Sequence, residues 1–224
     1  ALSITWLHPL GSLDDQIEQI VDGECTALLV DDANFLARGA DIATGAKGAL
    51  RVVFALAKTD YAIDLMAAVA AAGAANARDI ARPDDVALLN YTGGTTGKSK
   101  GALRNHAQNA SYTTAILSDF EIPIGPRYLV IAPMSHVAGT KILPSLMLGG
   151  TIYLMKGFDP KAVLDTIARE KINMTLLVPT MIYMLLDHPD LERTDLSSLD
   201  LLLYGASPMS PARLEEGLKR IGPV

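Results

Sequence analysis

"DVALLNYTGGTTGKSKG", residues 85–101, changes character halfway. Val86–Leu89 is a continuous apolar run, and from Thr92 to Gly101 every residue is a glycine, a hydroxyl residue or a lysine, with no carboxylate. A buried strand that empties into such a loop is what an α/β sheet presents at the carboxyl ends of its strands, where ligands bind. Glycines let backbone N–H groups converge on an anion. Thr92, Thr95, Thr96 and Ser99 add hydroxyl donors, and Lys98 and Lys100 add positive charge. The reading is a polyphosphate site following a strand and preceding a helix near Arg104.

The rest of the chain repeats the strand half of that pattern. Apolar runs at 26–32, 50–57, 127–135, 150–157, 173–179 and 199–207 are continuous rather than alternating, as in strands covered on both faces. Between them lie helical stretches with legible starts: Asp159 before Pro160, and Ser210 before Pro211, are N-caps with proline in the first turn. Leu214, Leu218 and Ile221 then share one helix face. An alanine-rich segment from Ala62 to Ala77 reads as a helix running into a linker that ends near Pro83. The expected fold is α/β: a layered, mostly parallel sheet with helices on both faces.

Bulk composition narrows the function. The chain has 224 residues, 50% hydrophobic and 20% charged, the balance of a globular protein. Its net charge of -6, with no basic stripe, argues against nucleic acid. A single cysteine, Cys25, excludes an internal disulfide and leaves no Cys/His set at metal-ligand spacing, so the cytoplasm is the default compartment and the metal ligands stay unknown. The longest uncharged stretches, 142–155 and 172–186, are broken by proline or glycine and fall short of the roughly 20 residues of a membrane span. His8, His106 and His188, and the pairs Asp31/Asp32 and Asp84/Asp85, read as solvated structural residues.

Two rival readings of the loop are weaker. "GKS" at 97–99 fits the end of a P-loop motif, but its first glycine falls on Thr92, a spacing miss of one residue. A plain flexible linker would not carry two lysines directly after a buried strand.

The loop resembles the phosphate-binding signature of the adenylate-forming enzymes, the acyl- and aryl-CoA synthetases, peptide-synthetase adenylation domains and luciferases. That signature is written [ST]-[SG]-G-[ST]-[ST]-G-x-[PS]-K-G. Thr92, Gly93, Gly94, Thr95, Thr96, Gly97, Lys100 and Gly101 match it, and Ser99 stands where proline is most common. Two further segments follow in the family's order. "APMSHVAG" (132–139) resembles its P-x-x-H-x-x-G segment, and "LLLYGASPMSP" (201–211) its Gly-Ala-Ala/Ser-Pro turn. The resemblance covers essentially the whole chain.

It implies ATP-dependent activation of a carboxylic acid as an acyl-adenylate, then thioester formation with CoA, with Mg²⁺ accompanying ATP. The Thr92–Gly101 loop, Lys98 and Lys100 included, would hold the β- and γ-phosphates of the leaving group. His136 would border the acyl pocket and the thiol route, and its presence instead of a Phe-Asp pair tilts the choice toward a CoA ligase. Gly205, Ala206, Ser207 and Pro208 would form the turn behind the adenine. Lys156 matches a position where some aryl-CoA ligases have a lysine near the CoA nucleotide, and an exposed turn lysine is an equal reading of it. A hydrolase elbow at Gly205–Met209 lacks its second glycine.

Family members are more than twice this length. The resemblance therefore implies an incomplete N-terminal ATP- and acyl-binding domain over 1–224, without the C-terminal domain that carries the catalytic lysine and inactive by itself. Cut sheet edges invite self-association. Transfer to a carrier-protein thiol, adenylation alone, or a non-catalytic nucleotide-binding module remain the alternatives, and fatty and aromatic acids are both open.

Overall fold

The computed structural model describes all residues except 1, 32, 33, 75, 77, 93–98 and 224, and of Thr92 the backbone only. The chain forms two compact units, Ala1–Asn109 and Ala110–Val224.

The first unit holds two three-stranded sheets. In one, β5 (Val86–Thr92) lies between β1 (Ile4–Thr5), parallel to it, and β6 (Lys100–Asn105), antiparallel to it. In the other, β2 (Ala27–Val30), β3 (Val52–Ala55) and β4 (Ile63–Asp64) run parallel in that order. Helix α1 (Leu13–Asp22) starts where Ser12 caps it, its Oγ accepting from the N–H of Asp15 at 3.1 Å. Asp14 and Asp15 then sit at the positive end of the helix dipole. Helix α2 (Leu36–Gly45) packs closely on β2, because a β-carbon at Gly39 would stand 2.6 Å from Val30 Cγ1. Ile20, Leu28, Val30, Ile42, Ala46 and Ala55 form the core, with Cys25 half-buried against it. The short helix α3 (Leu65–Ala72), capped by Asp64, covers part of the alanine-rich stretch; it stops at Gly73, whose φ of +68° no other residue adopts cheaply.

One expectation fails here. The residues around Arg104 are a strand, not a helix. Lys100–Asn105 pairs with β5 through Tyr91↔Gly101 and Leu89↔Leu103, and the helix, α4 (His106–Asp119), begins only afterwards. Its start is a capping box. Asn105 Oδ1 accepts from the N–H of Gln108 at 2.8 Å, and Gln108 Oε1 accepts from the N–H of Asn105 at 2.9 Å.

The second unit is one four-stranded parallel sheet in the order β10-β9-β7-β8, made of β7 (Arg127–Val130), β8 (Thr151–Leu154), β9 (Met174–Leu177) and β10 (Leu201–Tyr204). Its central strands are apolar throughout because alternate residues serve opposite faces. Leu129, Ile131 and Leu177 pack with α6 (Pro160–Glu170) and α7 (Pro179–Leu186) through Val163, Leu164, Ile182 and Leu186. Tyr128, Val130, Met174 and Leu176 pack with Ile116 of α4 and Ile142 of α5 (Ile142–Met147) on the other face. Asp159 caps α6 as expected, accepting from the N–H of Ala162 at 2.7 Å. Ser210 precedes α8 (Pro211–Arg220) without a side-chain cap bond, and Leu218 on the expected apolar face is 48% exposed. Charge holds that helix instead: Arg213 bridges Asp187 and Glu216, and Arg220 bridges Glu192 and Glu216. Those two guanidinium partners, Arg213 first, hold the Glu216 carboxyl below the ordinary carboxylate range.

Candidate active site

In the first unit, the glycine, hydroxyl and lysine run joins two antiparallel strands, so it is a hairpin connection whose last pair is Thr92↔Lys100. Gly93, Gly94, Thr95, Thr96, Gly97 and Lys98 lie outside the described residues. The stem is well defined. Lys100 opens β6 with its side chain exposed. A β-carbon on Gly101 would come 2.8 Å from Leu89 Cδ1 and 3.3 Å from the Tyr91 ring, so glycine lets β6 lie under that aromatic without displacing either side chain.

Both sides of the stem are tied to α1. The Tyr91 hydroxyl donates to Asp22 Oδ2, and burial together with that bond pushes the phenol well above its ordinary pKa. On the other side, Ser99 Oγ donates to Asp15 Oδ1 at 3.1 Å. Gln19 Nε2 donates to Asp15 Oδ2 at 3.0 Å and lies 3.4 Å from Ser99 Oγ.

In the second unit, the four strands are parallel, so the segments that follow them share one edge of the sheet. Strand β7 is followed by Pro133–Gly139 with His136, β8 by the turn with Lys156, and β10 by Gly205–Pro208. The chain runs from β7 to β8 on one side and then to β9 on the other. The gap between β7 and β9 is thus the reversal point at which open α/β sheets bind ligands. His136 follows β7 directly there.

That histidine sits on a tightly wound turn. Its N–H donates to Pro133 O at 3.1 Å, its own carbonyl accepts from the N–H of Gly139 at 3.0 Å, and Ser135 Oγ lies 2.9 Å from its Nδ1. A β-carbon on Gly139 would overlap the Met134 carbonyl oxygen. From below, the fully buried Tyr128 donates to Ala138 O at 2.9 Å, and burial pushes its phenol up. Beyond the turn, the buried Lys141 ammonium stacks 4.9 Å above the Phe120 ring and donates to Thr140 Oγ1, which bonds Val137 O.

Ala206 has a φ of +70°, in the left-handed region, with Gly205 before it and Ser207 and Pro208 after; Ala206, Ser207 and Pro208 are exposed. A non-glycine residue held there costs on the order of 1–3 kcal/mol, a strain that collects at ligand-binding turns.

Residues 4–224 match the family model described as AMP-binding enzyme. The chain belongs to the AMP-binding enzymes. It is 37% identical to the medium/long-chain-fatty-acid–CoA ligase FadD8 of Mycobacterium tuberculosis over 98% of its own length and 40% of that protein's. A feruloyl-CoA synthase from Amycolatopsis is 41% identical over 58% of the chain and 27% of the synthase. Among solved structures, the amide bond synthetase McbA of Marinactinospora thermotolerans superposes with a TM-score of 0.82 at 29% identity, over 96% of this chain and 41% of that one. The chain therefore spans about 40% of the length of the relative that it matches end to end.

Within this AMP-binding enzyme, each unit brings part of the sequence-derived residues to one place: Ser99, Lys100 and the ends of the hairpin in the first, and His136, Lys156 and Gly205–Pro208 at one sheet edge in the second. Among the described residues no group of three His, Cys, Asp or Glu side chains could hold a metal ion. Nor is any described helix long and apolar enough to cross a membrane. Sequence reasoning passed over Asp15, Gln19, Asp22 and Tyr128: the first three bond side chains of the hairpin stem and Tyr128 bonds the backbone of the His136 turn, contacts that no local spacing reveals. It also read His106 as solvated, whereas its Nε2 is buried.

Proposed function

We propose that the protein to which this chain belongs joins a carboxylic acid to ATP and passes the acyl group to CoA. A carboxylate oxygen attacks the α-phosphorus, pyrophosphate leaves, and the acyl-adenylate carbonyl is then attacked by the CoA thiol with release of AMP. The match of residues 4–224 to the AMP-binding enzymes is the observation that carries this reading. The phosphate loop, with Thr92, Ser99 and Lys100 at its ends, holds the β- and γ-phosphates with accompanying Mg²⁺, so that charge is stabilised where it leaves. His136 borders the acyl pocket, Gly205–Pro208 back the adenine, and Lys156 lies toward the CoA nucleotide. The reading puts the enzyme where ATP and CoA are, in the cytoplasm.

Relatives named for fatty-acid and feruloyl substrates make the test a panel of both acid classes. The full-length enzyme is expected to exchange pyrophosphate into ATP only with a matching acid, and to form a thioester only when CoA is added. Residues 1–224 alone, an incomplete N-terminal domain in this reading, are expected to release no pyrophosphate; turnover by them would remove it. The likeness to an amide bond synthetase favours a second reading, in which an amine takes the acyl group. Product formation indifferent to CoA would select that reading.

Strands β1 and β2 each end their sheet, and both line an apolar cavity of about 550 Å³ with Leu2, Ile4 and Leu29 among its walls. These three side chains are 86%, 49% and 58% exposed. Unpaired apolar edges seek a partner strand, and we infer that residues 1–224 associate with a second copy through them. Light scattering should give a mass that rises with concentration. A constant monomer mass across the range would exclude it.

A further inference from the structure

Ser99 stands where the family's loop usually has a proline, which would fix φ just before Lys100. The structure shows what stands in its place. We propose that Asp15 and Gln19 of α1 are positioning residues of the phosphate loop: they clamp the Ser99 hydroxyl and so hold Lys100 in register without the proline.

Asp15 uses both carboxylate oxygens. One accepts from Ser99 Oγ at 3.1 Å and the other from Gln19 Nε2 at 3.0 Å, while Gln19 Nε2 also reaches Ser99 Oγ at 3.4 Å. Asp15 and Gln19 are four positions apart in one helix, hence neighbours on its face. The carboxylate is itself fixed, because its residue lies in the first turn of α1 and its N–H is held by the Ser12 cap. Gln19 is buried, and its Oε1 has no hydrogen-bond partner among the described residues. A buried amide that leaves its oxygen unpaired while its nitrogen serves Asp15 and Ser99 is placed for the clamp, not for its own satisfaction.

The clamp is one of two. Asp22 lies seven positions after Asp15, two helical turns along the same face, and accepts from Tyr91 on β5. Tyr91 in turn covers Gly101 of β6. One helix thus grips both strands of the hairpin, at Tyr91 before the loop and at Ser99 after it. Ordering residues before a ligand arrives removes an entropy cost that binding would otherwise meet.

This inference rests on the loop's proposed role toward ATP, so the test has two readouts. In the full-length enzyme, Asp15→Ala and Ser99→Ala are each expected to raise the KM for ATP about 5- to 10-fold, less than the more than roughly 10-fold of a charged hydrogen bond lost outright because the clamp acts on nucleotide only through Lys100, with kcat changed much less. The double variant should lose no more than either single one, and Ser99→Pro added to Asp15→Ala should recover part of the affinity. Losses that multiply in the double variant, or a proline that recovers nothing, would overturn the clamp. The second readout is hydrogen exchange of the β6 amides without nucleotide, expected to speed up in Ser99→Ala and Asp15→Asn and to slow again when Ser99→Pro is combined with Asp15→Asn. Unchanged exchange in the first two also overturns it. Should the wild-type enzyme not bind ATP, the proposed function fails while the exchange experiment still decides the clamp.

Discussion

Gly139→Ala is expected to cost the full-length enzyme most of its activity, about 100-fold, and to lower the stability of the second unit. The new methyl would overlap the Met134 carbonyl oxygen and lie 2.7 Å from its carbonyl carbon. Both atoms are backbone, so no flexible side chain can swing away. The turn must open, which breaks the Gly139 to His136 bond and strains the bond from Tyr128 to Ala138. Overpacking of a close-packed site costs about 1–3 kcal/mol, and a displacement of about 1 Å at a reacting centre costs roughly 100-fold in rate. A comparison variant separates this from any glycine effect. Gly217 lies in α8 with nothing within 4 Å of its would-be β-carbon, so Gly217→Ala should leave activity intact and stabilise the helix by about 0.5–1 kcal/mol. Thermal melting and acyl-CoA formation, measured on both variants, check the pair. A Gly139→Ala enzyme with wild-type melting and rate would show that His136 does not depend on the tightness of its turn.

The sequence made the second unit legible because its pattern is local. Tyr128–Ile131 and Met174–Leu177 are apolar at every position but Thr175, whose hydroxyl bonds Leu129 O within the core, and such a run has few readings other than a strand covered on both faces. The Asp159 cap before Pro160 sits within three residues of the N–H it holds, whereas Ser210 before Pro211 makes no such bond. The first unit was harder. Strands β1 and β4 are two residues long and carry no period at all. "KGALRN" invites the reading of an approach to a helix, because a loop after a parallel strand usually leads into one; only its pairing with β5 makes it a strand. The helix start was nevertheless written in Asn105 and Gln108, three apart, as a capping box. The hydrogen bond from Ser99 to Asp15 joins residues 84 apart in the chain, a distance over which no spacing rule operates.

Lys100→Ala should raise the KM of the full-length enzyme for ATP about 10- to 100-fold while leaving its fold intact. The side chain is exposed at the first residue of β6, opposite Thr92, and exposed substitutions away from packed or capped positions change stability by about 0.5 kcal/mol or less. Circular dichroism should therefore not move. A hydrogen bond between an ammonium and a phosphate oxygen is worth about 1.5–3 kcal/mol, which is the expected loss in affinity. Lys100→Arg keeps the charge but spreads it over a planar fork, so it should recover part of the affinity and no more. The split between constants carries the mechanistic content. If KM rises and kcat holds, Lys100 binds the phosphates equally in the ground and transition states; if kcat falls with kcat/KM, its charge is felt only as pyrophosphate departs. An unaltered affinity together with an unaltered rate would mean that the lysine at the mouth of the hairpin does not meet the nucleotide, and the phosphate loop would have to be assigned again from its remaining residues.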